Sequence, residues 1–383
     1  MSSLEGRITL ILQPGADSDT QVTLQSARPV HASRMFHGKP IEETLQSLPL
    51  LFSICSTAQA AAATEACEQA MNITPDPTVA AAREQLVMVE TLREHLWRLL
   101  LDWSRLLQLS PAEQEMATVM GRLQTLQHAI HGGTPLFQLN PSPLPSASTS
   151  LETLTHPFIT EIIEPLLGTR VKAWQQITGF EALQQWMTKS DGVLPTLFQQ
   201  LQQSQWASLG STTTPLLPMI EKPLWQSLLG EETFIERPQW EGRPHEASPL
   251  TRSNSLLLAS VTQQWGNGVM ARMVARISEI IEILQTLPHP VQTDNDTSLP
   301  NQSGIGIVEA ARGRLIHHVQ LEEEEITRYQ IVAPTEWNFH PQGVVVQALQ
   351  QLPFAVRDLE QQARLIIHAI DPCVGYDLVI QAD

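Results

Sequence analysis

The chain has 383 residues, 42% of them hydrophobic, and carries 40 acidic against 23 basic side chains for a formal net charge of −17. That is enough apolar material for one large core or two smaller ones. The charge balance argues against nucleic acid as a partner and suits a basic protein surface.

No apolar run reaches membrane-spanning length, and Met1-Ser2-Ser3-Leu4-Glu5 lacks the basic-then-apolar layout of a secretion signal. The expectation is a cytoplasmic protein without membrane insertion. Cys55, Cys67 and Cys373 are odd in number and widely spaced. Such thiols form neither a disulfide framework nor a zinc finger, and reduced side chains are the natural reading.

In chain order, Arg7-Ile8-Thr9-Leu10-Ile11-Leu12 and Gln21-Val22-Thr23-Leu24 flank a turn-forming cluster, which predicts a hairpin. Residues 56–70 are alanine-rich and almost free of breakers. Ser56 or Thr57 is the expected cap, and Cys55 then lies at the positive end of the helix, where a thiol pKa falls and thiolate is favoured. From about 79 to 108, Leu86, Val89, Leu92, Leu96, Leu99, Trp103 and Leu106 recur at helical spacing and predict a core-facing stripe. Ser110-Pro111-Ala112-Glu113 reads as the start of another helix.

Residues 132–157 and 210–250, rich in Gly, Pro and polar side chains, read as long connections. Helices are expected at 158–164, 180–189 and 193–206, then along Val269, Met273, Val274, Ile277, Ile280, Ile281 and Leu284. The stretch 288–304 reads as a loop. Strands are expected at 305–308, 315–321 and 326–332, with Glu322-Glu323-Glu324-Glu325 as a solvated hairpin tip. A final helix near 358–369 delivers Cys373. Cys67 reads as a packing residue. His317 and His318 are adjacent on a strand and face opposite sides, so a joint metal site is not expected. His128 and His131 can share a helix face, but Gly132-Gly133 follows at once.

Several stretches, in shared order, resemble the large subunit of nickel-iron hydrogenases. They are Leu4-Glu5-Gly6-Arg7-Ile8, Arg93-Glu94-His95-Leu96 with Leu101-Asp102-Trp103, Trp240 through Arg252, Glu309-Ala310-Ala311-Arg312-Gly313, Ala333-Pro334-Thr335-Glu336-Trp337-Asn338 and Asp371-Pro372-Cys373. The resemblance and the patterns together imply an α+β, mainly α fold: a hydrogenase large-subunit-like helical bundle with a smaller mixed β region. It implies one interwoven domain over 1–383, with a hairpin and pocket entry at 1–55, a helical core at 56–287 and pocket-closing strands and helix at 304–383.

That family holds nickel with a Cys-x-x-Cys pair at each end, two of the thiolates bridging to iron. Here the pairs are Cys55 with Ala58 and Cys373 with Tyr376. The missing members correspond to the bridging positions. Val379 stands for the family's late histidine, and only Ile380-Gln381-Ala382-Asp383 follow, which leaves no substantial tail for a processing protease. Arg34-Met35-Phe36-His37 offers no acid near the family's Arg-Gly-Phe-Glu position. A dinuclear centre is not expected from half the thiolates, which are the soft ligands it needs.

This pattern resembles the HupK/HoxV-type hydrogenase assembly proteins, which look like large subunits without the full ligand set. The resemblance implies a non-catalytic scaffold for the Fe(CN)2(CO) group, held in transit on Cys55 and Cys373 without nickel. It implies Arg312 and Thr335 as donors to cyanide, Pro334 in the same loop, and Leu315 and Ala333 around the carbonyl. Arg312 reads equally as a buried ion pair with Glu309 or an acidic helix residue. Glu5 matches a proton-relaying glutamate and reads as a structural remnant. The implied partners are an iron-group carrier chaperone, an iron-cyanide assembly protein and the large-subunit precursor. Two other functions stay open: a metal-free interaction protein that kept the fold, and an active hydrogenase with unusual ligation, against which the missing thiolates speak.

Overall fold

Alternating burial of Ile8, Leu10 and Leu12 marks β1 (Ile8–Leu12) as a central strand with one face on the core. In the computed structural model, which describes residues 6–15, 17, 20–52, 54–144, 150–289, 302–354 and 357–381, it pairs antiparallel with β2 (Val22–Ser26). Glu5 and most of the expected loop at 288–304 lie outside the described residues.

Three helices follow: α1 (Ile41–Leu51), α2 (Ser56–Ala70) and α3 (Pro77–Trp97). Asp76 caps α3 by accepting from the Thr78 amide at 2.8 Å, with Pro77 in the first turn, where its missing N–H costs nothing. A π-turn at Arg98–Asp102 and a last turn at Trp103–Leu106 carry the helix on. Its stripe is buried from Leu86 to Trp103 and packs with helices Glu113–His131 and Val269–Thr286 in the largest core cluster. No helix among the described residues is long and apolar enough to cross a membrane.

The second sheet is an antiparallel meander of β3 (Ser303–Ala310), β4 (Gly313–Glu322) and β5 (Glu325–Val332). Its β4–β5 tip is exposed, and Glu323 and Glu324 both take positive φ, as a two-residue hairpin turn requires. α2 lies directly on edge strand β3. Gly304 and Gly306 make this possible: a Cβ there would stand 1.8 Å and 1.9 Å from the carbonyl oxygens of Ala66 and Ala62. The helix also closes the open edge, since Gln69 Oε1 accepts from the Ile305 amide at 2.6 Å and Glu65 Oε2 from the Ile307 amide at 3.2 Å.

Two expectations change, and one element was not foreseen. Within 132–157 a helix begins at Leu151, capped by Ser150, and runs through Pro157 to Phe158 before a π-turn at Ile159–Ile163. Pro157 reads as a breaker, yet it lies inside the helix near its end. Within 210–250 lies a helix at Lys222–Leu229 with Pro223 in its first turn, plus short 3-10 turns. The end of the chain forms β6 (Tyr376–Ile380), which pairs parallel with β1, Ile8 opposite Tyr376 and Leu12 opposite Ile380. That pairing ties the two ends of the chain together beside Cys373.

Candidate metal centre

Cys55 occupies the cap position of α2, but its side chain caps nothing. The free amides of Thr57 and Ala58 donate instead to Glu90 of α3, at 2.9 Å and 3.1 Å. The expected thiolate is therefore corrected. Burial pushes the Cys55 thiol well above its ordinary range, and the charges of Cys373 and Glu90 push it further. Arg312 and a 3.7 Å hydrogen bond from Gln59 Nε2 oppose the rise without cancelling it. A carboxylate sits where the helix end would have favoured negative sulfur.

Cys373 follows the helix Leu359–Ile370, which ends on Asp371 in the left-handed region at φ 70°. The Ile8 amide donates to the Gly375 carbonyl at 3.2 Å, so the β1–β6 pairing holds this loop. Thr335, in the short helix Pro334–Asn338 after β5, donates its hydroxyl to Cys373 Sγ at 2.9 Å and accepts from the Cys373 amide at 3.2 Å. The two thiols come from different cores. Cys55 packs with the α1–α2 and second-sheet cluster that holds Leu315 and Ala333; Cys373 packs with the β1–β2 and C-terminal helix cluster. They lie in electrostatic range of each other and of Arg312, at the seam.

Arg312 stands in the two-residue turn between β3 and β4 and is 3% exposed. The turn needs Gly313, whose φ is 131° and whose Cβ would lie 2.2 Å from the Ala247 carbonyl. Arg312 Nε donates to Asp371 Oδ1 at 3.1 Å and Nη2 to Glu94 Oε2 at 3.0 Å. Glu309 is not its partner: that carboxylate takes Arg314 and Arg252 at 2.7 Å and 3.2 Å. Arg312 Nη1 is buried without a hydrogen-bond partner. Burial acts against the guanidinium charge, but Asp371, Glu94, Cys373 and Cys55 outweigh it and hold its pKa above the ordinary range. Burial would likewise raise Asp371, yet Arg312, Arg98 and Arg276 keep it far below the usual carboxylate range, with Arg98 Nη2 2.8 Å from Oδ1.

At the two positions where the resemblance places missing thiolates, Ala58 is fully buried, and Tyr376 packs edge-on to His368 and hydrogen-bonds Arg364. No cluster of three or more His, Cys, Asp or Glu side chains able to hold a metal exists among the described residues. His317 and His318 face opposite sides as expected, the first toward Gln59 and Tyr329, the second toward Ser303 and Gln330. The rings of His128 and His131 meet edge-on. Cys67 is fully buried in the α1–α2 cluster, its thiol pushed up to about 12 by burial. Sequence reasoning missed Glu90 and Gln59, whose roles depend on partners distant in the chain. Asp371 was visible as part of the motif, but not as the hub of three arginines.

Comparison with known proteins fits this geometry. The sequence model of the nickel-dependent hydrogenase family matches residues 256–376. The chain is similar to the hydrogenase expression/formation protein HoxV of Cupriavidus necator, 30% identical over 98% of this chain and 95% of that protein. It is 28% identical to the hydrogenase expression/formation protein HupV of Azotobacter chroococcum mcd 1, over 98% of each. Among solved structures, the Ni-Fe-Se hydrogenase of D. vulgaris Hildenborough superposes with a TM-score of 0.63 over 92% of each chain at 15% identity, which shows a shared fold. With a hydrogenase large-subunit fold and full-length likeness to formation proteins, the chain belongs to the HoxV/HupK family of hydrogenase expression/formation proteins.

Proposed function

We propose that this protein is a non-catalytic scaffold in hydrogenase maturation. In this reading Cys55 and Cys373 hold an iron that carries two cyanides and one carbonyl, before the group passes to the large-subunit precursor. The observation that carries the reading is Arg312 Nη1. A buried N–H without an acceptor costs about 1–3 kcal/mol, and a cyanide nitrogen beside the two thiols would supply the acceptor. Arg312 is anchored on its other nitrogens by Asp371 and Glu94, so its free N–H is already oriented.

An iron that brings three diatomic ligands asks little of its host, and two sulfurs suit it; no nickel is proposed. Leu315 and Ala333 supply buried apolar surface for the carbonyl. Thr335 directs its proton to the Cys373 sulfur, so Arg312 is the donor free for cyanide. Transfer is thiolate exchange without redox change. Two iron–sulfur bonds to this chain break, two form to the client, and the departing sulfurs take up protons that the client thiols release. The raised Cys55 pKa favours protonation of its departing sulfur. The proposed donors of the group are a carrier chaperone and an iron-cyanide assembly protein.

The test is infrared spectroscopy on the protein isolated without oxygen alongside the maturation factors. One carbonyl and two cyanide stretches are expected, lost in Cys55→Ala and Cys373→Ala and shifted in Arg312→Lys. Bands that persist in the doubly substituted protein overturn the proposal. Maturation that survives both substitutions assigns the chain a metal-free chaperone role instead.

A further inference from the structure

We propose that Tyr329, His317 and Gln59 form a directed chain of hydrogen-bond donors that positions the Gln59 amide on the Cys55 sulfur. This rests on Cys55 being a metal-binding thiol. The three side chains come from β5, β4 and the first turn of α2, and all are buried, at 1%, 0% and 1% exposure. His317 Nδ1 lies 2.9 Å from the Tyr329 hydroxyl, His317 Nε2 lies 2.9 Å from Gln59 Oε1, and Gln59 Nε2 lies 3.7 Å from Cys55 Sγ.

Its direction follows from proton counting. Burial holds His317 neutral, its pKa lowered to about 3, so only one ring nitrogen carries a proton. With the Gln59 carbonyl oxygen at Nε2, that nitrogen donates, and Nδ1 accepts from the Tyr329 hydroxyl. The amide nitrogen of Gln59 then faces sulfur. Reversing the amide would require Nε2 to accept and Nδ1 to donate to Tyr329. The phenolic hydrogen would then be buried with no acceptor, because among the described residues the hydroxyl has no other hydrogen-bond partner. Such a stranded group costs about 1–3 kcal/mol, so one orientation is strongly preferred.

The architecture supports the chain. Gly306 stands opposite His317 in the β3–β4 register, and its missing side chain lets α2 come close enough for Gln59 to reach the imidazole. The Tyr329 ring is pinned edge-on by Phe36 at 5.4 Å. A fixed N–H on a ligand sulfur draws charge from it and orients it, as outer-shell partners do in metal sites. Cys373 receives its own donor from Thr335, so each thiol of the pair has one. These three are positioning residues, since Tyr329 and His317 act on the sulfur only through Gln59.

The first arm of the test needs no metal. The full chain, labelled with nitrogen-15 in histidine and kept reduced, is examined by long-range proton–nitrogen spectra, with the His317 signal identified by its loss in His317→Gln. The Nε2–H tautomer is expected, and Tyr329→Phe should move the signal; an Nδ1–H tautomer in the unaltered protein overturns the proposal. The second arm adds cobalt(II) alone and reads the sulfur-to-metal charge-transfer band. Gln59→Leu should shift it to lower energy, Tyr329→Phe should shift it less, and Cys55→Ala should remove the Cys55 component. A band unmoved by Gln59→Leu but lost in Cys55→Ala overturns the donor chain and leaves the ligand role standing. A spectrum unchanged by Cys55→Ala, or no cobalt uptake at all, counts against the ligand reading instead, and the tautomer then decides the donor chain.

Discussion

Gly306→Ala tests the contact on which the site depends. The added methyl would stand 1.9 Å from the Ala62 carbonyl oxygen, 2.8 Å from its carbon and 3.0 Å from the Ala66 amide nitrogen. All three are helix backbone, so no side chain can swing aside. Ordinary contact begins near 3.4 Å, which requires α2 to withdraw by about 1.5 Å. Overpacking of this kind costs about 1–3 kcal/mol, and withdrawal also stretches the bonds from the Ile305 and Ile307 amides to Gln69 and Glu65, each worth about 1 kcal/mol. The expected loss is about 3 kcal/mol or more, roughly a hundredfold in the folded-to-unfolded ratio. Urea unfolding followed by tryptophan fluorescence reads it. Gly121→Ala is the control: it lies in the helix Glu113–His131 with nothing within 4 Å of the new methyl, and should stabilise by about 0.5–1 kcal/mol. A Gly306→Ala protein that unfolds at the same urea concentration as the unaltered chain refutes the argument. Because α2 carries Cys55 and Gln59, the surviving folded protein should also lose the Cys55 component of the cobalt spectrum.

Glu90→Ala removes both acceptors, Oε2 for the Thr57 amide and Oε1 for the Ala58 amide, and should cost about 1–2 kcal/mol by thermal or urea midpoint, while Glu90→Gln keeps one accepting oxygen and should recover only part of that. Arg272 and Glu246 form a bidentate pair buried to 1% and 0% exposure, so Arg272→Met should cost about 3–5 kcal/mol by stranding the carboxylate. Arg272→Met with Glu246→Leu should recover most of that, and a double-mutant cycle without such recovery would contradict it. His317 has a folded pKa of about 3 against an ordinary 6.5, so below pH 6.5 the unfolded chain takes a proton that the folded chain refuses. Its contribution is therefore intact above pH 6.5 and is lost as pH falls toward 3, amounting to about 2 kcal/mol by pH 5. Urea midpoints at pH 7 and pH 5 should show the unaltered protein losing that much more than His317→Gln; equal pH slopes would rule it out.

Periodicity exposed the elements whose signal is local. The stripe from Leu86 to Trp103, the apolar face of Val269–Thr286 and the three strands after Ser303 each carry a pattern that a single helix or strand imposes on its own residues. Segments around Pro157 and Pro223 read as connections because proline is a breaker in isolation, whereas Pro223 takes a first-turn position and Pro157 lies inside a helix near its end. β6 is short and half-exposed, and became a strand only because β1 was there to pair with it.

The sequence alone determined the inventory: two widely separated cysteines in hydrogenase-like stretches, and an arginine between two predicted strands. It could not set their electrostatics. The helix end that ought to make Cys55 a thiolate is occupied by Glu90 from another helix, Arg312 is held by Glu94 and Asp371 rather than by its neighbour Glu309, and Gln59 acts through a histidine on a distant strand. Charge and hydrogen bonding act through space at a few ångströms, so the protonation of a buried group depends on which remote side chains the fold brings beside it.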